Sequence, residues 1–302
     1  MYGRRDVLRT GVAVGLLAAS PWLRAQPSTS LLTRTIPSTG EALPVIGAGT
    51  SGSFEVEAGS DQYRQLRQVL QAFFQHGGSV IDTSPNYGGA DAILGQLLEE
   101  GGWRSKCFLA TKIAADSREA AERQWTGTLA SLRTDKVDLL QIHNLRDWRT
   151  QLPYARELKK QGKTRYVGIT HYLNSGQDEV AEILRKEPLD FIQINYSVNT
   201  PQAARSLFPL AREKGVAVLV NRAFDDGRLF ARVKDQALPV WAAEAGITSW
   251  AQVFLKFAIS HPAVTAVIPA TGRPDRQLDQ LKAGSGPLLT EAQQQSLIKQ
   301  FA

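Results

Sequence analysis

Apolar residues along this chain fall into short blocks separated by amphipathic stretches. Eight blocks read as strands: Pro44–Gly49, Ser79–Thr83, Cys107–Lys112, Val137–His143, Tyr166–Thr170, Phe191–Tyr196, Ala217–Asn221 and Ala266–Pro269. Each is four to seven residues long and rich in Val, Ile, Leu or Phe, as strands buried on both faces should be. The intervening sequence has helical spacing. In Tyr63–Phe74, the apolar residues Leu66, Val69, Leu70 and Phe73 recur at the interval of one helix face. Asp116–Leu132, Gln202–Lys214 and Trp241–Ile259 repeat the pattern, and Gly77 and Gly215 follow their helices where a left-handed cap is wanted.

Eight strands, each followed by helical sequence at a spacing of roughly 25–30 residues, predict an α/β fold of the (β/α)8 TIM-barrel type over residues 30–302. A doubly wound open sheet is the alternative, but no G-x-G-x-x-G turn follows any strand, and Gly47-Ala48-Gly49 is only a fragment of one. Ahead of the first strand, Leu31–Ile36 and Ala42–Ile46 flank a Pro-Ser-Thr-Gly-Glu turn, which predicts an N-terminal β-hairpin plugging the barrel floor.

Composition narrows the chemistry. The 302 residues are 43% apolar and 21% charged, which is ordinary globular composition. A single cysteine, Cys107, excludes an intramolecular disulfide and a multi-cysteine zinc site, and the presence of only four histidines argues against a histidine-built metal centre. Half of the +6 net charge lies in residues 1–25, leaving 31 basic and 28 acidic residues; that balance predicts no nucleic-acid partner.

Residues 1–25 read as an address. A basic start with Arg4 and Arg5 precedes a 14-residue uncharged run, Thr10–Leu23, and then Arg24-Ala25. The run is shorter than the roughly 20 residues that cross a bilayer, so no stable membrane insertion is expected after processing. Arg4-Arg5 with Val7-Leu8-Arg9 resembles the twin-arginine signal. It implies transit through that export machinery, folded and with any bound cofactor, to the periplasm or beyond.

In a (β/α)8 barrel, chemistry sits where strands end and the following loops begin. Asp82 and Tyr87 lie at and after the end of the second strand, Lys112 ends the third, and His143 ends the fourth. A barrel rim would gather them. A phenol, with a pKa of about 10, is a poor proton donor at neutral pH; an ammonium beside it favours the phenolate and lowers that pKa. A carboxylate would hold the ammonium, and an imidazole would orient a substrate oxygen. Asp82 and Lys112 alone would read as a structural ion pair, and Tyr87 alone as a loop aromatic; the set of four reads as catalytic. His76 reads as a helix C-cap partner, and His261-Pro262 as loop.

The ordered set Ile81-Asp82-Thr83-Ser84-Pro85-Asn86-Tyr87-Gly88, Leu94-Gly95, Ala110-Thr111-Lys112 and Leu140-Gln141-Ile142-His143 resembles the aldo-keto reductases. The likeness continues through Gly162–Thr170, Gln193-Ile194-Asn195-Tyr196-Ser197, Ala251-Gln252-Val253 and Val267-Ile268-Pro269. It implies a barrel that uses NADPH or NADH without a Rossmann domain. Tyr87 would be the general acid, Lys112 would lower its pKa, Asp82 would pair with Lys112, and His143 would orient the carbonyl.

The resemblance also implies a cofactor site formed by Thr50, Thr170, His171, Gln193, Arg222, Thr271, Arg276 and Gln280. Here the chain departs from the family pattern. His171 stands where Asn is usual, Asn221-Arg222 replaces a nicotinamide-stacking aromatic, Ala270-Thr271 replaces Lys-Ser, and Gln280 replaces Asn. Arg222 is either a pyrophosphate contact or a surface arginine. Arg276, with Arg273, would hold a 2′-phosphate, favouring NADP with NAD still possible. Phe54, Asn86, Trp148 and Phe230 would line a substrate pocket. With the chain ending at Ala302, no long C-terminal flap is expected over it. Two functions follow: reduction of a small aldehyde or ketone, or an exported nicotinamide-binding or sensing protein with little turnover.

Overall fold

The computed structural model describes residues 30–302, so the leader over residues 1–25 lies outside the described residues. A hairpin of β1 (Thr33–Thr35) and β2 (Ala42–Pro44) comes first, pairing antiparallel with Thr35 opposite Ala42. The barrel then runs β3 (Ala48–Gly49), α1 (Asp61–Gln75), β4 (Val80–Asp82), α2 (Ala90–Glu100), β5 (Phe108–Ile113), α3 (Arg118–Ser131) and β6 (Val137–His143). It continues with α4 (Trp148–Lys160), β7 (Thr164–His171), α5 (Gln177–Lys186), β8 (Phe191–Asn195), α6 (Leu207–Glu213), β9 (Ala217–Asn221) and α7 (Arg228–Arg232). Helix α8 (Trp250–Ser260), β10 (Ala266–Val267), α9 (Pro274–Lys282) and α10 (Glu291–Phe301) complete it.

Strands β3 to β10 pair in parallel and in chain order. The ring closes through parallel bridges of Ile46 with Val267 and Gly49 with Ala270. The glycines at that seam are a packing requirement. A Cβ on Gly47 would lie 2.9 Å from the Val80 carbonyl oxygen, and one on Gly49 would lie 2.9 Å from that of Ile268. Gly47-Ala48-Gly49 is therefore the closure of the barrel, not a remnant of a nucleotide turn.

The two-residue period of the strands divides the barrel interior into a dry floor and a polar mouth. Val80, Phe108, Ala110, Leu139, Tyr166, Phe191, Leu219 and Ile268 form one inward-facing apolar cluster, joined by Ile36 and Leu43 of the hairpin region. Phe108, Tyr166 and Phe191 meet with ring centroids 5.5 to 6.0 Å apart. Two residues further along their strands, the same inward parity gives Asp82, Lys112, Gln141, Gln193 and Asn221, and four residues beyond Tyr166 it gives Thr170.

The hairpin seals the floor and is tied down from two sides. The Tyr166 hydroxyl donates to Glu41 at 2.6 Å. Arg34, half-buried on β1, donates to the carbonyls of Ile259 (2.6 Å), His261 (2.5 Å) and Val264, satisfying the otherwise open C-terminus of α8. His76 caps α1 as expected, its Nδ1 2.9 Å from the Ala72 carbonyl.

Two expected helices are shorter than their periodicity implied. The segment beginning at Trp241 holds only a short turn at Val240–Ala242; Gly246 at φ +67° then breaks the chain, and Ser249 caps α8 by accepting from Gln252 N–H. Over Gln202–Lys214 a 3-10 turn (Gln202–Ala204) precedes α6, which holds Pro209 in its first turn, where its missing N–H costs nothing.

Candidate active site

All six residues of β5 are buried, so the lysine within it needs a fixed counter-charge. Lys112 is 1% exposed, and its Nζ donates to Asp82 Oδ2 at 2.5 Å and to the Thr83 carbonyl at 2.8 Å. Asp82 Oδ1 in turn accepts from Gln141 Nε2 at 2.9 Å and from Gln193 Nε2 at 2.8 Å. Burial works against the ammonium, but Asp82 and Tyr87 outweigh it, and the Lys112 pKa sits above its ordinary value.

Tyr87 lies on the loop between β4 and α2, with Lys112 Nζ 5.1 Å from its ring centroid. His143, the last residue of β6, stands edge-on to that ring, centroids 5.8 Å apart at 86°. The structure thus gathers all four residues expected to be catalytic. It corrects one detail of the expected electrostatics. Burial pushes the Tyr87 phenol up, and the Lys112 charge opposes this without reversing it. Tyr87 therefore stands ready as an acid, and Lys112 limits the cost of its phenolate. Burial, then the charges of Lys112 and Arg146 and the nearby His171, hold the His143 pKa down to about 3, so its imidazole is neutral at physiological pH.

A further set of buried polar residues supports the quartet; of these, sequence reasoning named Thr50 as a cofactor residue and did not single out Thr83, Ser84 or Asp91. Thr50 Oγ1 donates to Thr83 Oγ1 at 2.9 Å, and Thr83 Oγ1 donates to Asp91 Oδ1 at 2.6 Å. Ser84 Oγ lies 3.0 Å from His143 Nδ1. The only sequence signal for Thr83 and Ser84 was membership of the 81–88 motif and, for Asp91, a charged residue in the first turn of a mostly buried helix.

The expected cofactor residues divide into two groups. Thr50 is fully buried and its hydroxyl is given to Thr83, so it presents no polar group at the mouth. Thr170 Oγ1 donates to Gln193 Oε1 at 3.1 Å. Gln193 spends its amide internally: Nε2 donates to Asp82 and Gln141, while Oε1 accepts from Thr170 and Asn221. His171 has outward parity; its ring lies over Gly176, where a Cβ would fall 2.2 Å from Nδ1, and Nδ1 accepts from Leu173 N–H. Arg222, at φ +53°, pairs with Asp226 and donates to the Tyr172 carbonyl at 3.1 Å, bracing two mouth loops together.

Thr271, Arg276 and Gln280 form the second group, and Asn221, outside the expected set, joins them. Asn221 faces inward, and its Nδ2 donates to the His171 carbonyl and Gln193 Oε1, both at 3.3 Å. Because both partners are acceptors, the amide cannot be turned round, and Asn221 Oδ1 is left as a buried acceptor without a donor. On α9, Arg276 is exposed and makes no ion pair among the described residues, whereas Arg273 is paired with Asp275 at 2.8 Å. Gln280 is 4% exposed with its Oε1 unpartnered, and Thr271 Oγ1 accepts from Arg273 N–H at 3.2 Å. An orphaned amide acceptor at the mouth and a free guanidinium on α9 fit a ligand with an amide at one end and a phosphate at the other.

Of the expected pocket residues, Phe54 is 1% exposed and belongs to the core, whereas Phe230 is 39% exposed and packs on Phe224. Between His143 and α4, Asn144, Leu145 and Asp147 all adopt positive φ, so that loop holds strain of order 1 kcal/mol per residue. Among the described residues no cluster of His, Cys, Asp and Glu is arranged to hold a metal, and no helix is long and apolar enough to cross a membrane.

A closed (β/α)8 barrel with a buried Asp–Lys pair, a tyrosine and a neutral histidine at the C-terminal ends of its strands has the layout of a barrel enzyme. Residues 45–299 match the model of the aldo/keto reductase family, and the chain belongs to that family. It is 25% identical over 221 residues to the aldo-keto reductase YhdN of Bacillus subtilis, a match covering 67% of this chain and 65% of that protein. It is 26% identical to the methylglyoxal reductase YeaE of Escherichia coli, covering 75% and 80% of the two chains. A Klebsiella pneumoniae aldo/keto reductase, solved in complex with NADP and acetate, superposes with a TM-score of 0.73 at 24% identity, over 87% of this chain and 93% of that one.

The depressed imidazoles predict an acid-sensitive fold. His143 (pKa about 3) and His261 (about 4, mainly through burial) hold fewer protons folded than unfolded between those values and the ordinary 6.5. Stability falls as pH drops through that window. Urea denaturation from pH 7.5 to 4.5 should show a declining midpoint, and the decline should be shallower in His261→Gln; an unchanged slope there would contradict the assignment.

Proposed function

We propose that this protein reduces an aldehyde or ketone to the alcohol with NADPH, with Tyr87 as the proton donor. The carrying observation is the contiguous Tyr87–Lys112–Asp82 set with His143 edge-on to the phenol, all at the barrel mouth. When bound, the nicotinamide supplies hydride to the carbonyl carbon. Tyr87 gives its proton to the carbonyl oxygen, and Lys112 stabilises the phenolate until solvent reprotonates it. Asp82 fixes the ammonium. His143, being neutral, orients the oxygen by a hydrogen bond and does not compete as an acid.

Arg276 and Gln280 would take the adenosine 2′-phosphate end, with Thr271 shaping the turn beside them. At the nicotinamide end, Asn221 Oδ1 would accept from the carboxamide, a role moved there from position 171. Gln193 and Thr170 would form the floor beneath it, and Arg222 would brace the loops around it. The YeaE relative, a methylglyoxal reductase, supports a small carbonyl substrate.

The leader over residues 1–25 supports a second proposal: twin-arginine export of the folded barrel, with its cofactor, to the periplasm. The adjacent Arg4-Arg5 and Val7-Leu8-Arg9 precede the uncharged stretch Thr10–Leu23, an arrangement that resembles such signals. Replacing both arginines by lysine should retain the protein in the cytoplasm; periplasmic accumulation unaffected by the change would refute export by this route.

Turnover of a broad aldehyde with NADPH tests the reductase. Tyr87→Phe should lower kcat/KM by about 10²-fold or more while leaving NADPH affinity in place. Unchanged turnover would remove the proton-donor role, and NADPH binding without reduction across a carbonyl panel would leave a binding or sensing protein.

Fluorescence titration separates the two ends of the cofactor. Arg276→Ala should weaken NADPH by about tenfold and NADH little. Asn221→Leu should weaken both by about fivefold and leave adenosine 2′,5′-bisphosphate unaffected. Equal losses for all three ligands in either variant would contradict the assignment.

A further inference from the structure

We propose that Ser84 is a positioning residue that fixes His143 as the Nε2–H tautomer, so that the imidazole meets the substrate oxygen as a hydrogen-bond donor. This deepens the reductase reading and rests on it for its functional consequence. The structural argument itself is a proton count. Ser84 is 1% exposed, and its Oγ already accepts the Asn86 N–H at 3.3 Å. A buried hydroxyl must also place its own proton. Among the described contacts of Oγ, the acceptor available to it is His143 Nδ1 at 3.0 Å. Nδ1 then accepts. The imidazole is neutral, with Lys112, Arg146 and His171 disfavouring a second proton, so its single proton lies on Nε2.

The choice of tautomer decides what His143 can do. A carbonyl oxygen offers only lone pairs and is best held by two donors, the Tyr87 hydroxyl and one other. With the proton on Nε2, His143 is that second donor. With the proton on Nδ1, Nε2 would turn a lone pair toward the mouth, repel the carbonyl oxygen and draw the Tyr87 proton toward itself. Ser84 thereby sets His143 to be Tyr87's partner, not its competitor. The interaction is local: Ser84 precedes Tyr87 by three residues on one loop, so the same turn that places the acid also sets the histidine.

Nitrogen-15 NMR of histidine-labelled protein without cofactor reads the tautomer directly. Wild type should show His143 with a protonated Nε2 and an unprotonated Nδ1. Ser84→Ala should show a mixture of the two forms, and its kcat/KM for an aldehyde should fall about fivefold, through kcat more than through KM, with NADPH affinity unchanged. Ser84→Thr, which keeps the hydroxyl, should restore both the tautomer and the rate. A wild-type signal with the proton on Nδ1 overturns the proposal, as does a pure Nε2–H form in Ser84→Ala, whatever its rate. If wild type reduces no carbonyl, the reductase reading fails while the NMR result still decides the role of Ser84.

Discussion

The organisation of this barrel's mouth follows from one constraint: an ammonium buried inside a fully enclosed strand must be met by a fixed carboxylate. Lys112 is compensated by Asp82 and the Thr83 carbonyl, and Asp82 is held by two glutamine amides. Each of those amides is tied further into the ring of strands, so the charged pair fixes the side chains at the ends of β4, β5, β6 and β8 together. Such a pair is expensive compared with apolar packing of the same volume, and stability alone does not explain its retention. Its value lies in the phenol it faces.

That phenol is under two opposed influences, and their balance suits proton donation. Burial favours the protonated phenol of Tyr87, and the Lys112 charge lowers the free energy of its phenolate. The histidine that stands edge-on to it is neutral and adds no competing acid. The same burial that raises the phenol lowers the imidazole, so one physical cause sets both protonation states.

Mouth and floor are separated by function as well as polarity. The floor is an aromatic and aliphatic plug, closed by the hairpin and clamped by Arg34 onto the end of α8. The mouth loops after β6 and β9 hold the positive-φ residues Asn144, Leu145, Asp147, Arg222, Asp225 and Asp226. A rigid base allows the rim to carry that backbone strain, which concentrates where ligands would meet the protein.

Strand and helix alternation was legible in the sequence because buried parallel strands and amphipathic helices leave strong local periodicities, and the quartet expected to be catalytic was legible because each member sits at a strand exit, or on the loop after one, that the pattern locates. The short segments at Val240–Ala242 and Gln202–Ala204 were not: Gly246 and the Ser249 cap interrupt the first, and in the second Pro209 has no N–H to carry a helix through the start of α6, although the apolar pattern continues on both sides. The cofactor end was only half legible. Position 171 matched a motif by its place in the chain, yet its side chain leaves the barrel because strand parity, a property of the closed sheet, sends it outward. Asn221 looked like the loss of an aromatic, and only the fold shows it as an inward amide with an unused acceptor. The sequence by itself determined which elements form and which chemical groups each strand delivers to its end. Which groups then point at one another, which are consumed in internal hydrogen bonds and which protonation state each holds depended on the closure of the ring, because those are set by distances and burial across strands far apart in the chain.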